Sequence, residues 1–354
     1  MEHKEMIAMK QGYGIIGCGS ISRFHFNGLE KAGAGIVRVA DVDMSRAAQC
    51  AARFGAAVSS DWREVLDDPK VSVVSVLAPA RLHREICLAA IEAGKHIICE
   101  KTMAADAGEA YDIACAVRNS GTIFFTAFMK RFFPAVEKAV ELLPSLGRLF
   151  SAHVRTYQNW GDLYSLKSAS DHGWILEGYG GGIIKCAGSH MLDLMLHLLG
   201  RPAGVYADID YVSGSRLDRK AMAQFKYPGS LAVNFEAVAH PLTGIGYERN
   251  SWDEKIEISG TGGRLEIYTV KWDTPENNAA LLVHYDNERA VSTEYRFAAV
   301  NPFDLEMAHF NDCLRRGVPA GPDVIDGFNV DVLIAAMEEA HAAGKCINID
   351  WKGL

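Results

Sequence analysis

Between residues 13 and 128 the chain alternates short apolar runs with helical patterns, and this alternation restricts the fold more than any other feature. YGII (13–16), IVRVA (36–40), VSVVSVLA (71–78), HIICE (96–100) and TIFFTAF (122–128) read as strands. Helix-like stretches such as 44–54 and 82–94 lie between them. Strands that are apolar on both faces and separated by helices form a parallel sheet, because parallel neighbours need a crossover and the crossover helices cover both faces. The expectation is a doubly wound α/β domain over 1–128.

After about residue 130 the texture changes. A helical stretch (131–144) precedes long alternating segments: LFSAHVRTY, VYADIDYV, AMAQFKY, LAVNFEAVA, KIEISG and RLEIY. Alternation at period two marks strands with one covered face, so 129–354 is expected to be an α+β domain on a large, mostly antiparallel open sheet, with a helix over 187–199 packed against it. A sheet face too large for its own helices favours pairing between subunits. Two further helices close the chain, one starting at Asn301-Pro302 and one over 324–343, ended by Gly344 before CINI. Two domains also suit 354 residues, more than one hydrophobic core usually holds. The formal net charge of −8 argues against a nucleic-acid partner, which would call for a basic face. No apolar run reaches bilayer-spanning length, and MEHKEMIAMKQ lacks the apolar core of a signal peptide. The eight cysteines include no C-x-x-C pair, which fits a reduced, cytoplasmic protein.

Two glycine registers compete near the N-terminus. Gly12, Gly14 and Gly17 match G-x-G-x-x-G in letters, but they fall before and within the first strand. Gly17-Cys18-Gly19-Ser20-Ile21-Ser22 instead follows the strand and opens a helix, as in a Rossmann dinucleotide site. There Gly17 makes the turn and Gly19 admits a pyrophosphate at the helix N-terminus, beside Ser20 and Ile21. Ser22 replaces the third glycine. The second strand ends at Asp41, where a carboxylate bonds the ribose 2′-hydroxyl of NAD and repels the 2′-phosphate of NADP. Asp43 competes for that role, its alternative being the N-cap of the next helix.

The run VSVLAPARLHREICLAAIEAGKHIICEKTMA, ending at Ala104, resembles the glucose–fructose oxidoreductase/inositol dehydrogenase/MocA family. The matching features are Pro79, His83, Glu100 and Lys101, with Thr102 where the family's Glu-Lys-Pro motif has proline. MKRFFPA (129–135), GGGIIKCAGSHMLDLMLHLLGRP (180–202), NPFDLEMAHFNDCL and Asp326-Gly327 extend the resemblance over nearly the whole chain. The resemblance implies an N-terminal Rossmann domain, a C-terminal open-sheet domain, a homodimer or homotetramer, and nicotinamide-dependent oxidation or reduction of a sugar or cyclitol. It places Ala78, Pro79, His83, Glu100 and Lys101 along the cofactor, with helix packing the alternative for His83. It makes Lys101 the active-site lysine and His190 the proton-transfer histidine. That assignment suits the chemistry: loss of hydride from a carbinol carbon needs a base for the hydroxyl proton and a positive charge near the oxygen. Arg131, Tyr157, Trp160 and Trp174 are candidates for the substrate wall, with surface exposure or core packing as the alternatives.

In residues 180–193, Cys186, His190 and Asp193 share one helix face at i, i+4 and i+7. Cys186 stands where the family usually has aspartate, and a neutral thiol is a weak donor and a weak acceptor. It is therefore expected to shape the substrate pocket without moving protons, and Asp193 to serve as a supporting acid. A zinc site on Cys186, His190, Asp193 and His197 is disfavoured, because these positions span about 16 Å along one helix. Three alternatives remain open: metal-dependent chemistry, a non-catalytic NAD(H) sensor, and a redox-neutral cycle on retained NAD.

Overall fold

A computed structural model of the chain describes residues 11–166, 180–319 and 321–354. It divides into two compact units, one of Met1–Phe128 with Phe303–Phe328 and one of Met129–Pro302 with Asn329–Leu354.

In the first unit, β1 (Gly12–Ile16), β2 (Gly35–Ala40), β3 (Ala57–Ser59), β4 (Val73–Val76), β5 (His96–Cys99) and β6 (Phe124–Thr126) form a sheet ordered β3-β2-β1-β4-β5-β6. Every pairing is parallel. β1, β4 and β6 are buried along their whole length, as their mostly apolar composition favours. The strand order turns at β1/β4, and a doubly wound sheet binds ligands at the carboxyl ends of strands on either side of such a turn. Only β3, three residues long and mostly exposed, has no sequence signature.

Phe303–Phe328 departs from a simple division at residue 128, because its side chains complete the first unit's core. Phe303 stacks on Phe24 at 4.2 Å and Phe310 on Phe125 at 4.2 Å. The Tyr13 hydroxyl donates to Asn311 at 3.0 Å, and the Thr126 hydroxyl donates to the Asp323 carbonyl at 2.9 Å.

The second unit is built on β7 (Leu149–Asn159), β8 (Gly204–Tyr211), β9 (Asp218–Lys226), β10 (Ala232–His240), β11 (Trp252–Gly260), β12 (Gly263–Tyr268), β13 (Leu281–Asp286), β14 (Val291–Arg296) and β15 (Ile347–Asn348). Their order is β14-β13-β12-β11-β7-β10-β9-β8-β15, and β7–β10 is the parallel pair in an otherwise antiparallel sheet. Alternation decides the faces. Ala152, Val154, Thr156 and Gln158 of β7 are buried, and Phe235 and Ala237 of β10 pair with Val154 and Thr156. Gly188, at the start of helix Ser189–Leu199, lies against Phe235 and Ala237, so the helix covers this face. The sequence pattern misses β13 and β14. β14 is exposed nearly throughout, so neither face carries an apolar period.

Candidate active site

The glycine turn is built as the second register requires. Gly12 and Gly14 lie inside β1, whereas Gly17 follows it with φ 99°, a conformation that disfavours a side chain. A Cβ at Gly17 would also stand 2.7 Å from the Leu77 carbonyl oxygen. Gly19 meets nothing within 4 Å of where its Cβ would be, leaving open space before helix Ser22–Lys31. No side chain caps that helix start, whose Ser22 and Phe24 N–H groups turn back to the Gly19 and Ile21 carbonyls at 3.1 and 3.0 Å, so the helix offers an anion the positive end of its dipole. Ser22 is buried, and its hydroxyl donates to the Gly19 carbonyl at 2.7 Å.

Asp41 and Asp43 have separate tasks. Asp43 caps helix Met44–Ala52, accepting from the Ser45 and Arg46 backbones at 3.0 and 3.2 Å. Asp41 accepts from the Cys18 backbone N–H at 2.7 Å and the Asp43 N–H at 2.8 Å. It therefore ties the glycine turn to the end of β2, where the ribose-binding acid belongs. A dinucleotide fits this cradle: an open glycine, a helix start without a side-chain cap and a carboxylate stand in the order that pyrophosphate and ribose need.

Beyond β4, Ala78 and Pro79 are half-buried. His83 is fully buried, its Nε2 lying 2.7 Å from the Ala78 carbonyl and its Nδ1 3.0 Å from the Thr102 carbonyl. It ties the segment after β4 to the segment after β5, and burial pushes its pKa down, favouring the neutral ring. Glu100 follows β5 with its carboxylate 3.1 Å from His25 Nε2 and 3.2 Å from the Lys101 backbone nitrogen that donates to it. Lys101 follows as a half-buried side chain on this braced segment, and its peptide bond to Thr102 is cis.

In the second unit, helix Ser189–Leu199 is entered through a wide turn, Ile184–Gly188. A side chain at Gly182 is impossible, since a Cβ there would be 1.8 Å from the Asp218 carbonyl oxygen. The buried Asp218 carboxylate accepts from the backbones of Gly182 and Ile184 at 2.6 and 2.8 Å. Burial nonetheless pushes its pKa up to about 6. Within residues 181–196, only Cys186 and His190 are not fully buried. One turn apart, they form a narrow accessible stripe on an otherwise enclosed helix.

Asp193 does not join that stripe. It is fully buried and takes Arg131 in a two-point grip, Nε at 2.9 Å and Nη2 at 2.5 Å. Arg131, read from sequence as a substrate contact, is thus engaged in anchoring the helix. His197 is exposed, and among the described residues no three His, Cys, Asp or Glu side chains gather as a metal site.

Tyr157 also departs from its expected place. It sits between Thr156 and Gln158 on β7, so the pleat sends it to the opposite face of the sheet, where its hydroxyl donates to Glu236 at 2.6 Å. Trp174 lies outside the described residues. Trp160 borders a cavity of about 320 Å³ with Gln158, Asn250, Trp252, Lys271 and Trp272. Asn250 Oδ1 and Trp252 Nε1 are buried there with no hydrogen-bond partner among the described residues. An acceptor and a donor left open beside three indoles suit a ligand with an apolar ring face and hydroxyl edges. The sequence reading missed Asn250, Trp252 and Trp272. Tryptophan beside a strand end, the feature that picked out Trp160, is the signal that would have found the other two.

Comparison with known proteins agrees with this architecture. Residues 11–128 match the model of the GFO/IDH/MocA oxidoreductase family, NAD-binding Rossmann fold, and residues 141–266 match a GFO/IDH/MocA C-terminal domain. A levoglucosan dehydrogenase of Pseudarthrobacter phenanthrenivorans is 35% identical, with 88% of each chain covered. An NAD(+)-dependent scyllo-inositol 2-dehydrogenase of Bacillus subtilis is 26% identical over 99% of this chain and 98% of its own. A solved levoglucosan dehydrogenase complex with NADH and levoglucosan superposes with a TM-score of 0.82 at 23% identity, covering 96% of this chain and all of that one. The glycine turn, the braced lysine segment, the histidine helix and these matches together lead to one assignment: the chain is an oxidoreductase of the GFO/IDH/MocA family.

Proposed function

We propose that the protein oxidises a secondary alcohol of a sugar, sugar derivative or cyclitol, with NAD preferred over NADP. The observation that carries this reading is the Cys186–His190 stripe, the accessible part of the otherwise buried stretch 181–196. The relatives support the substrate class, and levoglucosan and the inositols are the first candidates. NAD supplies the hydride acceptor. His190 takes the hydroxyl proton, imidazole being the side chain that can exchange protons near neutral pH. Lys101 stabilises charge developing on the same oxygen, and Cys186 shapes the substrate's surroundings without moving protons. Trp160, Trp252 and Trp272 give ring-stacking surfaces, while Asn250 Oδ1 and Trp252 Nε1 take hydroxyls.

The test is the appearance of reduced nicotinamide when NAD is mixed with levoglucosan, scyllo-inositol and other polyols. Turnover of at least one is expected, with His190→Ala slower by about 100- to 10,000-fold. Absence of turnover on every polyol with either nucleotide would overturn the reading.

A further inference from the structure

Beneath the tryptophan-lined cavity lies a buried ion pair that the chemistry above does not use. The Glu254 side chain is 0% exposed and that of Lys130 1%, and the Lys130 ammonium donates to a Glu254 oxygen. Burying two charges is expensive, so such a pair is informative through whatever else it holds. Glu254 accepts three more hydrogen bonds: Thr156 Oγ1 at 2.7 Å, Gln158 Nε2 at 3.1 Å and Thr269 Oγ1 at 2.6 Å. These donors reach it from the end of β7 and from the segment after β12, which goes on to Lys271 and Trp272. Glu254 itself lies two residues beyond Trp252 on the same face of β11, and Lys130 Nζ stands 5.4 Å from the Trp252 ring centre. One carboxylate thus ties together the three strand ends that carry the cavity wall.

We propose that Glu254, held by Lys130, is a positioning residue that sets the cavity wall through Gln158 and Trp160. The step through Gln158 follows from donor and acceptor bookkeeping. A carboxylate only accepts, so the Gln158 amide must turn its NH₂ toward Glu254 and its carbonyl oxygen the other way. That oxygen accepts from Trp160 Nε1 at 3.1 Å. The charge on Glu254 therefore fixes the orientation of Gln158, and Gln158 fixes the indole. A glutamine at 254 would let the Gln158 amide flip, setting NH₂ against the indole N–H. Lys130 also lies 3.8 Å from Met191 Sδ, next to His190 in sequence, so the pair braces the histidine helix as well.

This inference rests on the cavity being the polyol site, and the experiment separates the two claims. The relay is read without substrate, from the ¹⁹F spectrum of 5-fluorotryptophan-labelled protein, in which Trp160→Phe assigns the Trp160 signal. Gln158→Leu keeps the ion pair and cuts the relay. It is expected to shift the Trp160 signal, and Glu254→Gln, where it folds, to shift it the same way. With levoglucosan as the probe, Gln158→Leu is expected to raise KM about tenfold, the scale of one lost buried hydrogen bond, with kcat and NADH affinity nearly unchanged. Combining Gln158→Leu with Trp160→Phe should cost no more than the larger single change, because both cut one path. An unmoved Trp160 signal in Gln158→Leu, or additive effects on KM, would overturn the proposal. Trp272→Ala is the control for the cavity. If it raises KM while Gln158→Leu does not, the relay falls and the cavity reading stands. If it leaves KM unchanged, the cavity reading falls, and the relay is decided by the Trp160 signal alone.

Discussion

Asp41 and Asp43 stand two residues apart after β2, and the sequence left their tasks open. The structure separates them by what each oxygen accepts. Asp43 is occupied by the N–H groups of a helix start, whereas Asp41 meets the glycine turn and is the acid beside the dinucleotide cradle. Asp41→Ala is expected to weaken NAD binding and narrow its advantage over NADP, measured by titrating both reduced nucleotides by fluorescence. Tighter NADPH binding by the unmutated protein would contradict this. A similar division holds on the histidine helix. Cys186→Ser is expected to change turnover little, and Cys186→Asp to alter substrate preference more than NADH affinity. A Cys186→Ser variant as slow as His190→Ala would assign the thiol a chemical role. The turn at Gly17 and the place of Asp41 beside it were legible from sequence because each sits in a local motif with a fixed spacing. Arg131 and Tyr157 were not. The first is explained by an Asp193 sixty-two positions away, and the second by strand parity, which composition does not reveal.

The helix Ser189–Leu199 shows what an element needs beyond its own pattern. Its apolar length and the three preceding glycines were visible in sequence, and the apolar length predicts burial. The reason for the glycines is on another strand, in the backbone and carboxylate of Asp218. Because burial raises this carboxyl to about 6, the folded chain holds its proton more tightly than the unfolded one, where the ordinary value is about 3.9. The group's contribution to stability is therefore fully present below about pH 4 and is lost as the pH rises to about 6. Melting temperatures across that window are expected to fall with rising pH relative to Asp218→Asn, and a constant difference between the two proteins would contradict the assignment. Arg131→Ala leaves Asp193 as a buried charge without this arginine and is expected to destabilise the protein by about 3–5 kcal/mol in denaturant unfolding. The cavity and its Glu254 brace were hidden from sequence for a related reason. They depend on the register of β7 against β11 and on the segment after β12, and no local pattern encodes that register.

At the scale of the whole molecule, the change of texture near residue 128 marked the passage between units, while the return of Phe303–Phe328 to the first unit was not visible. An amphipathic helix carries no label for the core it joins; here the partners are Phe24, Phe125 and Tyr13. On the second unit's sheet, the face bearing Arg155, Tyr157 and Glu236 stays partly exposed. Pairing of this face between copies is expected, so light scattering at micromolar concentration should give a dimer or tetramer mass, and a monomer mass would count against it. As a dehydrogenase the protein turns over, as opposed to sensing NAD(H) or cycling it in place. The direct measurement is the number of NADH molecules formed per chain when excess NAD and a panel of polyols, levoglucosan and scyllo-inositol among them, are incubated with a small amount of protein. A dehydrogenase forms many per chain on at least one polyol, with an equal amount of ketone product. Retained NAD would stop at one per chain and a sensor at none, and either result would contradict the dehydrogenase reading.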